Sequence, residues 1–110
     1  MERFVKGDVV VVPFPFTDFT SSERRPALVL CQDKDDIILC SITTKKREDT
    51  KDVFITHKDF AEGSLRVESF VRLTRLLTVS KSLILYKIGS LKQEKIEEIA
   101  NEVCKMLKDY

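Results

Sequence analysis

The chain has 110 residues, enough for one hydrophobic core but not for two independent ones. Hydrophobic residues make up 43% and charged residues 34%, a composition that is typical of a folded globular protein and excludes a disordered chain. Lysine and arginine total 19 against 18 acidic residues, so the net charge of +1 excludes a global polycation and leaves only a local basic patch for any nucleic-acid contact.

The first two-thirds of the chain predict β-strands. Residues 9–16 are β-branched and aromatic, and Pro13 and Pro15 lack a backbone donor, so this strand must end at an edge or a bulge. The other predicted strands cover residues 27–32, 37–43, 53–55, 69–77 and 83–88. The segments between them predict polar or charged loops at 17–25 and 44–52, and one helical turn within 58–62 that Gly63 ends.

The C-terminal part of the chain predicts an amphipathic helix. Ser90 and Gln93 have the spacing of a capping box at its start. Apolar residues then recur at steps of three and four along one face, at Ile96, Ile99, Ala100, Val103, Cys104 and Leu107. We therefore expect one domain over residues 1–110: a small, curled, mostly antiparallel β-barrel-like sheet with this helix packed on it.

Several classes of protein and site are not expected. Cys31, Cys40 and Cys104 lie in apolar contexts at wide spacings, and with a single histidine they predict buried, reduced thiols rather than a metal site. There is no glycine-rich phosphate loop, so no cofactor is expected. No apolar run approaches the roughly 18 residues of a membrane span, and residues 1–8 do not resemble a signal peptide. We expect a cytoplasmic protein.

Three short motifs in order carry the functional signal. Gly7-Asp8 directly precedes a strand, Arg24-Arg25-Pro26 opens the second strand, and Ser41-Ile42-Thr43-Thr44 leads from the third strand into the basic Lys45-Lys46-Arg47. In this order and spacing they resemble the MazF/PemK family of toxin endoribonucleases, and the likeness covers nearly the whole chain.

The resemblance implies a CcdB/MazF-type barrel related to SH3-like folds, a homodimer, and inhibition by a cognate antitoxin. It also implies metal-independent, sequence-specific cleavage of single-stranded mRNA by attack of the ribose 2′-OH, with Arg25 and Thr43 as the catalytic residues. A guanidinium suits the charge that develops on the phosphate but is a poor general base, because its pKa lies above about 12. Asp18 and Glu23 are therefore candidates for acid–base work.

The expected RNA-binding residues surround these two. Phosphate contacts supply most of the affinity and stacking reads unpaired bases, which favours Arg24, Thr44, Lys45, Lys46 and Phe16. Ser69 joins them by resemblance only. Arg72 and Arg75 are three apart on a predicted strand, so simple alternation lets at most one of them point at a given groove.

Two other functions stay open at this point. One is a protein-binding toxin of the gyrase-poisoning CcdB type, which the absence of tryptophan disfavours because those toxins act through a tryptophan-containing terminus. The other is a catalytically inactive, RNA-binding relative. We expect an antitoxin to lay an acidic segment over Arg24, Arg25, Lys45 and Lys46, in competition with RNA.

Overall fold

Seven strands form one antiparallel sheet in a computed structural model that describes residues 3–15, 22–48 and 51–109. The strands are β1 (Asp8–Pro15), β2 (Ser22–Asp33), β3 (Asp36–Thr43), β4 (Asp52–Ile55), β5 (Phe60–Gly63), β6 (Ser69–Ser80) and β7 (Tyr86–Leu91). Their order across the sheet is β4-β6-β3-β2-β1-β7-β5, and a single helix α1 (Gln93–Asp109) follows. The predicted fold class, mostly β with a C-terminal helix, is confirmed.

Alternation along the strands gives the curled sheet two different faces. We call the first the helix face, because its buried residues, among them Val9, Leu28 and Ile42, form one core cluster with Ile99 and Met106 of α1. The second we call the open face. Its buried residues form a separate cluster that contains Val10, Val12, Ala27, Val29 and Leu39. The central strands are therefore packed against buried side chains on both of their faces.

Pro13 and Pro15, which have no backbone N–H to donate, lie in a part of β1 that is paired on one side only among the strands that the structure describes. Pro13 and Pro15 pair with Arg24 and Ser22 of β2, but β7 pairs with β1 only as far as Val11. This end of β1 therefore has a neighbour on one side only among the described residues, and the predicted edge position is confirmed. The pairing also shows that the predicted loop 17–25 was drawn too long, since β2 already begins at Ser22.

The predicted start of the helix is wrong. Ser90 lies in β7 opposite Asp8, and α1 begins at Gln93, with the Lys92 carbonyl accepting from the Lys95 and Ile96 amides. Ladder pairing with β1 takes precedence over the local capping pattern. A true capping box occurs instead at Thr56 and Asp59, around a 3₁₀ turn at His57–Asp59. The strand predicted at 83–88 is displaced to Tyr86–Leu91 for the same reason.

The buried side of α1 is also rotated from the predicted one. Met106 is 8% exposed, whereas Leu107 is 66% exposed and Cys104 is exposed. Cys31 is exposed as well, so only Cys40 is the buried thiol that the sequence predicted for all three. Within the described ranges, no helix is both long and apolar enough to cross a membrane.

Gly7 fixes the approach of α1 to the sheet. Its φ of +95° is a conformation that favours glycine, and a Cβ at this position would collide with the Ile96 side chain. Its amide donates to the Val29 carbonyl, and its carbonyl accepts from Leu91. Beside it the buried Asp8 accepts from the Val5 amide and lies 3.4 Å from Lys87 Nζ. The Gly7-Asp8 motif therefore holds the first turn and the helix, and has a structural role.

Candidate active site

Arg25 and Thr43 lie on one face of two adjacent strands. The β2–β3 ladder pairs Ala27 with Ser41, and the same register continued by two residues sets Arg25 opposite Thr43. Both side chains share the open face, beyond the last buried residues of its core cluster. Pairing with β1, where Val12 is opposite Arg25, fixes the backbone from the other side.

The Arg25 guanidinium has a carboxylate partner on its own strand. Its Nη2 lies 3.1 Å from Glu23 Oε2, and the two side chains are 35% and 67% exposed. Since Glu23 is two residues away, both side chains lie on the same face. The pair therefore leaves the guanidinium partly solvent-facing and oriented by an acid that water reaches easily.

The Thr43 hydroxyl is oriented by the backbone that follows it. Its Oγ1 accepts from the Lys45 amide at 3.2 Å, which leaves the hydroxyl hydrogen able to donate to a ligand. Thr44, Lys45 and Lys46 are all exposed as the chain leaves β3. This arrangement puts a hydroxyl donor beside a guanidinium, with exposed ammonium groups nearby.

The other predicted site residues are placed less uniformly. Arg24 is exposed, but alternation along β2 directs it to the side of the strand away from Arg25. Ser69 is 3% exposed and donates to the Val67 carbonyl at 2.8 Å, so the structure does not bring its hydroxyl into the site. Asp18 and Phe16 lie outside the described residues.

Arg72 is a member of the site that sequence reasoning did not assign. On β6 it pairs with Ser41 on one side and with Asp52 of β4 on the other, so all three share the open face. Burial lowers the pKa of Arg72, and the positive charges of Arg47, Arg75 and Arg25 lower it further, while Asp52 opposes them. Three neighbouring guanidinium groups therefore act on Arg72 with the same sign, and one carboxylate acts against them.

Strict alternation, on which the expectation for Arg72 and Arg75 rests, does not hold along β6. Consecutive β3–β6 pairs join Ser41 to Arg72 and Cys40 to Leu76, so the three residues 73–75 are extra in β6. A bulge of this kind breaks strict alternation, and the charge of Arg75 reaches Arg72. No turn residue marks the bulge in the sequence, and an alternation argument has no other way to find it.

Asp52 forms an ion pair with Arg47, one of the arginines whose charge acts on Arg72. Its side chain is only 6% exposed, and its Oδ1 lies 3.5 Å from Arg47 Nη2. Within the part of the chain that the structure describes, neither carboxylate oxygen of Asp52 has a hydrogen-bond partner, nor does the buried Nε of Arg72. Buried polar atoms in this state are costly unless water or a ligand satisfies them.

An aromatic pair adjoins the same cluster. Phe54 on β4 pairs with Phe70 on β6, and Phe70 also pairs with Thr43. The two ring centroids lie 5.1 Å apart with an interplanar angle of 43°, and Phe54 is 44% exposed. We call the open-face set Arg25, Ser41, Thr43, Asp52, Phe54, Phe70 and Arg72 the site patch.

An apolar cleft of about 150 Å³ lies on the other side of the sheet, between β2 and α1. Leu28, Leu30, Ile96 and Val103 line it, and Lys6 and Cys104 are its only ionisable members. It lacks the paired polar groups that acid–base or phosphate chemistry needs. This cleft is therefore a weaker candidate for an active site than the site patch.

Comparison with protein families identifies one match. The model of the PemK-like, MazF-like toxin of type II toxin–antitoxin systems matches residues 5–107. No curated protein sequence matches the chain.

Solved structures share the fold at low sequence identity. The MazE–MazF complex of Deinococcus radiodurans (Form-II) superposes with a TM-score of 0.77 at 15% identity, covering 100% of both chains. A mycobacterial endoribonuclease in complex with its cognate antitoxin gives 0.73 at 13%, covering 98% of each. The Mycobacterium tuberculosis toxin MazF-mt6 gives 0.67 at 18%, covering 92% of this chain and 99% of that one.

Proposed function

This chain belongs to the PemK-like, MazF-like family of type II toxins, and on that premise we propose that it is an endoribonuclease that cleaves single-stranded RNA in the cytoplasm. The reaction is a sequence-specific transesterification that needs no metal ion. The observation that supports the proposal is the β2–β3 register, which, continued by two residues from the Ala27–Ser41 pair, sets Arg25 and Thr43 side by side on the open face.

The chemistry follows from these two side chains. The ribose 2′-oxygen attacks the adjacent phosphorus, the bond from phosphorus to the 5′-oxygen breaks, and a 2′,3′-cyclic phosphate and a 5′-OH end result. Negative charge grows on the non-bridging oxygens, which the forked donors of Arg25 match. The Thr43 hydroxyl, already accepting from Lys45, donates its hydrogen to the same phosphate.

The proton balance needs a base and an acid. In this proposal Glu23 takes the 2′-hydroxyl proton; it is open to water, and its Oε2 lies 3.1 Å from Arg25 Nη2, so it also orients the guanidinium. The departing 5′-oxygen takes a proton from water or from a second acid, for which Asp18 remains the other candidate. Arg25 itself stays protonated throughout.

The partners follow from the family. Two of the similar structures are toxin–antitoxin complexes, and we propose that an acidic antitoxin segment covers Arg25, Lys45 and Lys46 and so competes with RNA. The active form is proposed to be a homodimer. A protein-binding, CcdB-like toxin would not need Arg25 and Thr43 together, which favours the nuclease.

Cleavage of a long mixed-sequence RNA in EDTA tests the proposal. Wild type is expected to leave cyclic phosphate and 5′-OH ends, and Arg25→Ala and Thr43→Val are each expected to lower the rate about 100-fold or more, as when one donor to a developing oxyanion is removed. Arg66→Gln, an exposed arginine outside the site patch, is the matched control. No cleavage by the folded wild-type protein would refute the nuclease, and equal cleavage by all variants would refute the assigned site.

A further inference from the structure

The outer part of the site patch has features that the cleavage chemistry does not use. Arg25 and Thr43 suffice for the phosphate that reacts, yet β4 and β6 add Asp52, Arg72 and the Phe54–Phe70 pair on the same face. Cross-strand pairing arranges these residues in two rows, which we call ranks: Phe54 and Phe70 form one, and Asp52 and Arg72 form the other. The ranks lie two residues apart along each strand, which is about 7 Å. One rank is aromatic and the other is charged.

The aromatic rank offers an exposed aromatic ring, whereas a phenylalanine that only stabilised the core would be buried. Phe54 is 44% exposed on the outermost strand of the sheet, and its ring is held against Phe70 with centroids 5.1 Å apart. Phe70 is directly opposite Thr43. If the reacting phosphate binds at Thr43, the adjacent base can therefore stack on the Phe54 ring, which packs against Phe70.

The charged rank offers donors for an anion. The buried Nε of Arg72 has no hydrogen-bond partner among the described residues, and Asp52 compensates only part of the charge of the surrounding guanidinium groups. An anion would satisfy the donor and relieve the repulsion. Aromatic faces beside a cationic track are the features with which proteins bind single-stranded nucleic acid.

We propose that β4 and β6 form a nucleotide subsite beside the scissile phosphate, in which a base stacks on Phe54 and Phe70 and the phosphate of that nucleotide binds Arg72. Asp52 forms an ion pair with Arg47 and partly offsets the positive charge around Arg72. This subsite rests on the proposed function, since it takes a nucleotide of the same RNA, and it adds residues that select and retain the substrate.

The base-stacking half is tested by binding of an RNA with 2′-fluoro riboses, which has no attacking hydroxyl. Its sequence is centred on the cleaved site, or is mixed if no cleavage occurs, and 2-aminopurine replaces single bases in turn. Phe54→Ala is expected to weaken binding roughly 5- to 150-fold, the range for one stacked base. Phe54→Leu should abolish the fluorescence quenching that stacking produces at one position. Leu85→Ala is the matched control, because Leu85 is equally exposed, at 44%.

The phosphate half has a separate signature in the salt dependence of binding. Removing one phosphate contact lowers the slope of log affinity against log salt by about 0.7 for a single strand. Arg72→Gln is expected to show this change, whereas Phe54→Ala and the control Arg66→Gln keep the wild-type slope. Arg72→Lys keeps the charge, so it should keep the slope while losing affinity. If Arg72→Gln unfolds, unchanged affinity in Arg72→Lys would overturn the phosphate site.

The outcomes separate this subsite from the nuclease itself. Cleavage by wild type with unchanged affinity and quenching in both Phe54 variants would overturn the base site alone, and an unchanged slope in Arg72→Gln would overturn the phosphate site. A change of oligomeric state in Phe54→Ala, with RNA binding intact, would assign the ring to a protein contact and also overturn the proposal. Failure of wild type to bind any RNA would refute both proposals together.

Discussion

The two faces of the central strands differ although they share the same backbone. On β3, Ile42 is buried on the helix face, while its neighbour Thr43 lies partly exposed on the open face beside Arg25. The helix face is closed by α1, and the open face is closed at one end only, by its own core cluster. The strands that carry the polar site are thus held by buried residues that are not part of the site. Substitutions that lower stability and substitutions that lower activity should therefore fall at different residues.

Neighbouring substitutions on β3 give the largest expected contrast. Ile42→Ala removes a fully buried side chain from the core that α1 covers, and should lower the free energy of unfolding by about 2–5 kcal/mol. Thr43→Val keeps the volume and β-branching, so it should change that free energy by less than about 1 kcal/mol while lowering cleavage. Urea unfolding and RNA cleavage on both variants measure the contrast; a Thr43→Val protein as unstable as Ile42→Ala would contradict it.

Gly7→Ala should produce the next largest effect, again on the helix face alone. The substitution forces a positive φ on alanine and sets a methyl group against Ile96, so we expect a loss of roughly 2–4 kcal/mol. The double variant Gly7→Ala with Ile96→Ala is the control, since it removes the collision but not the backbone strain. Thermal unfolding of the single and double variants separates the two terms, and no recovery in the double variant would rule out the contact.

The smallest expected effect concerns the cysteines, whose rates of chemical modification report the burial of each thiol. Burial raises the pKa of Cys40 to about 12 from 9.0, so at pH 8 its thiol is protonated and shielded. Iodoacetamide should therefore modify Cys31 and Cys104 in the native protein, and Cys40 only after unfolding. Because an unfolded Cys40 ionises first, its contribution to stability should be lost as the pH rises from 9 towards 12. Native modification of Cys40 at the rate of the others would refute its burial.

The sequence predicted the existence of the strands better than their ends, and the catalytic roles of Arg25 and Thr43 stay a prediction. Strands 37–43 and 53–55 carry strong β-branched and apolar patterns, and the resemblance supplied Arg25 and Thr43. The Ser90 pattern gave a wrong helix start because a capping pattern is local, whereas Ser90 pairs in β7 with Asp8 of β1, 82 positions away. Arg72, Asp52 and the Phe54–Phe70 pair escaped because cross-strand register and a bulge in β6 decide which side chains meet.

The order of strands in the sheet has a consequence for how such a protein can diverge. Arg25 and Thr43 stand on β2 and β3, each with a paired strand on both sides, whereas Phe54 and Asp52 stand on β4, the outermost strand next to β6. A substitution on β4 disturbs one ladder, and one on the inner strands disturbs two. Under the proposed function, residues of β4 can therefore change with less disturbance of the sheet than Arg25 or Thr43, so substrate preference is freer to diverge than the chemical step.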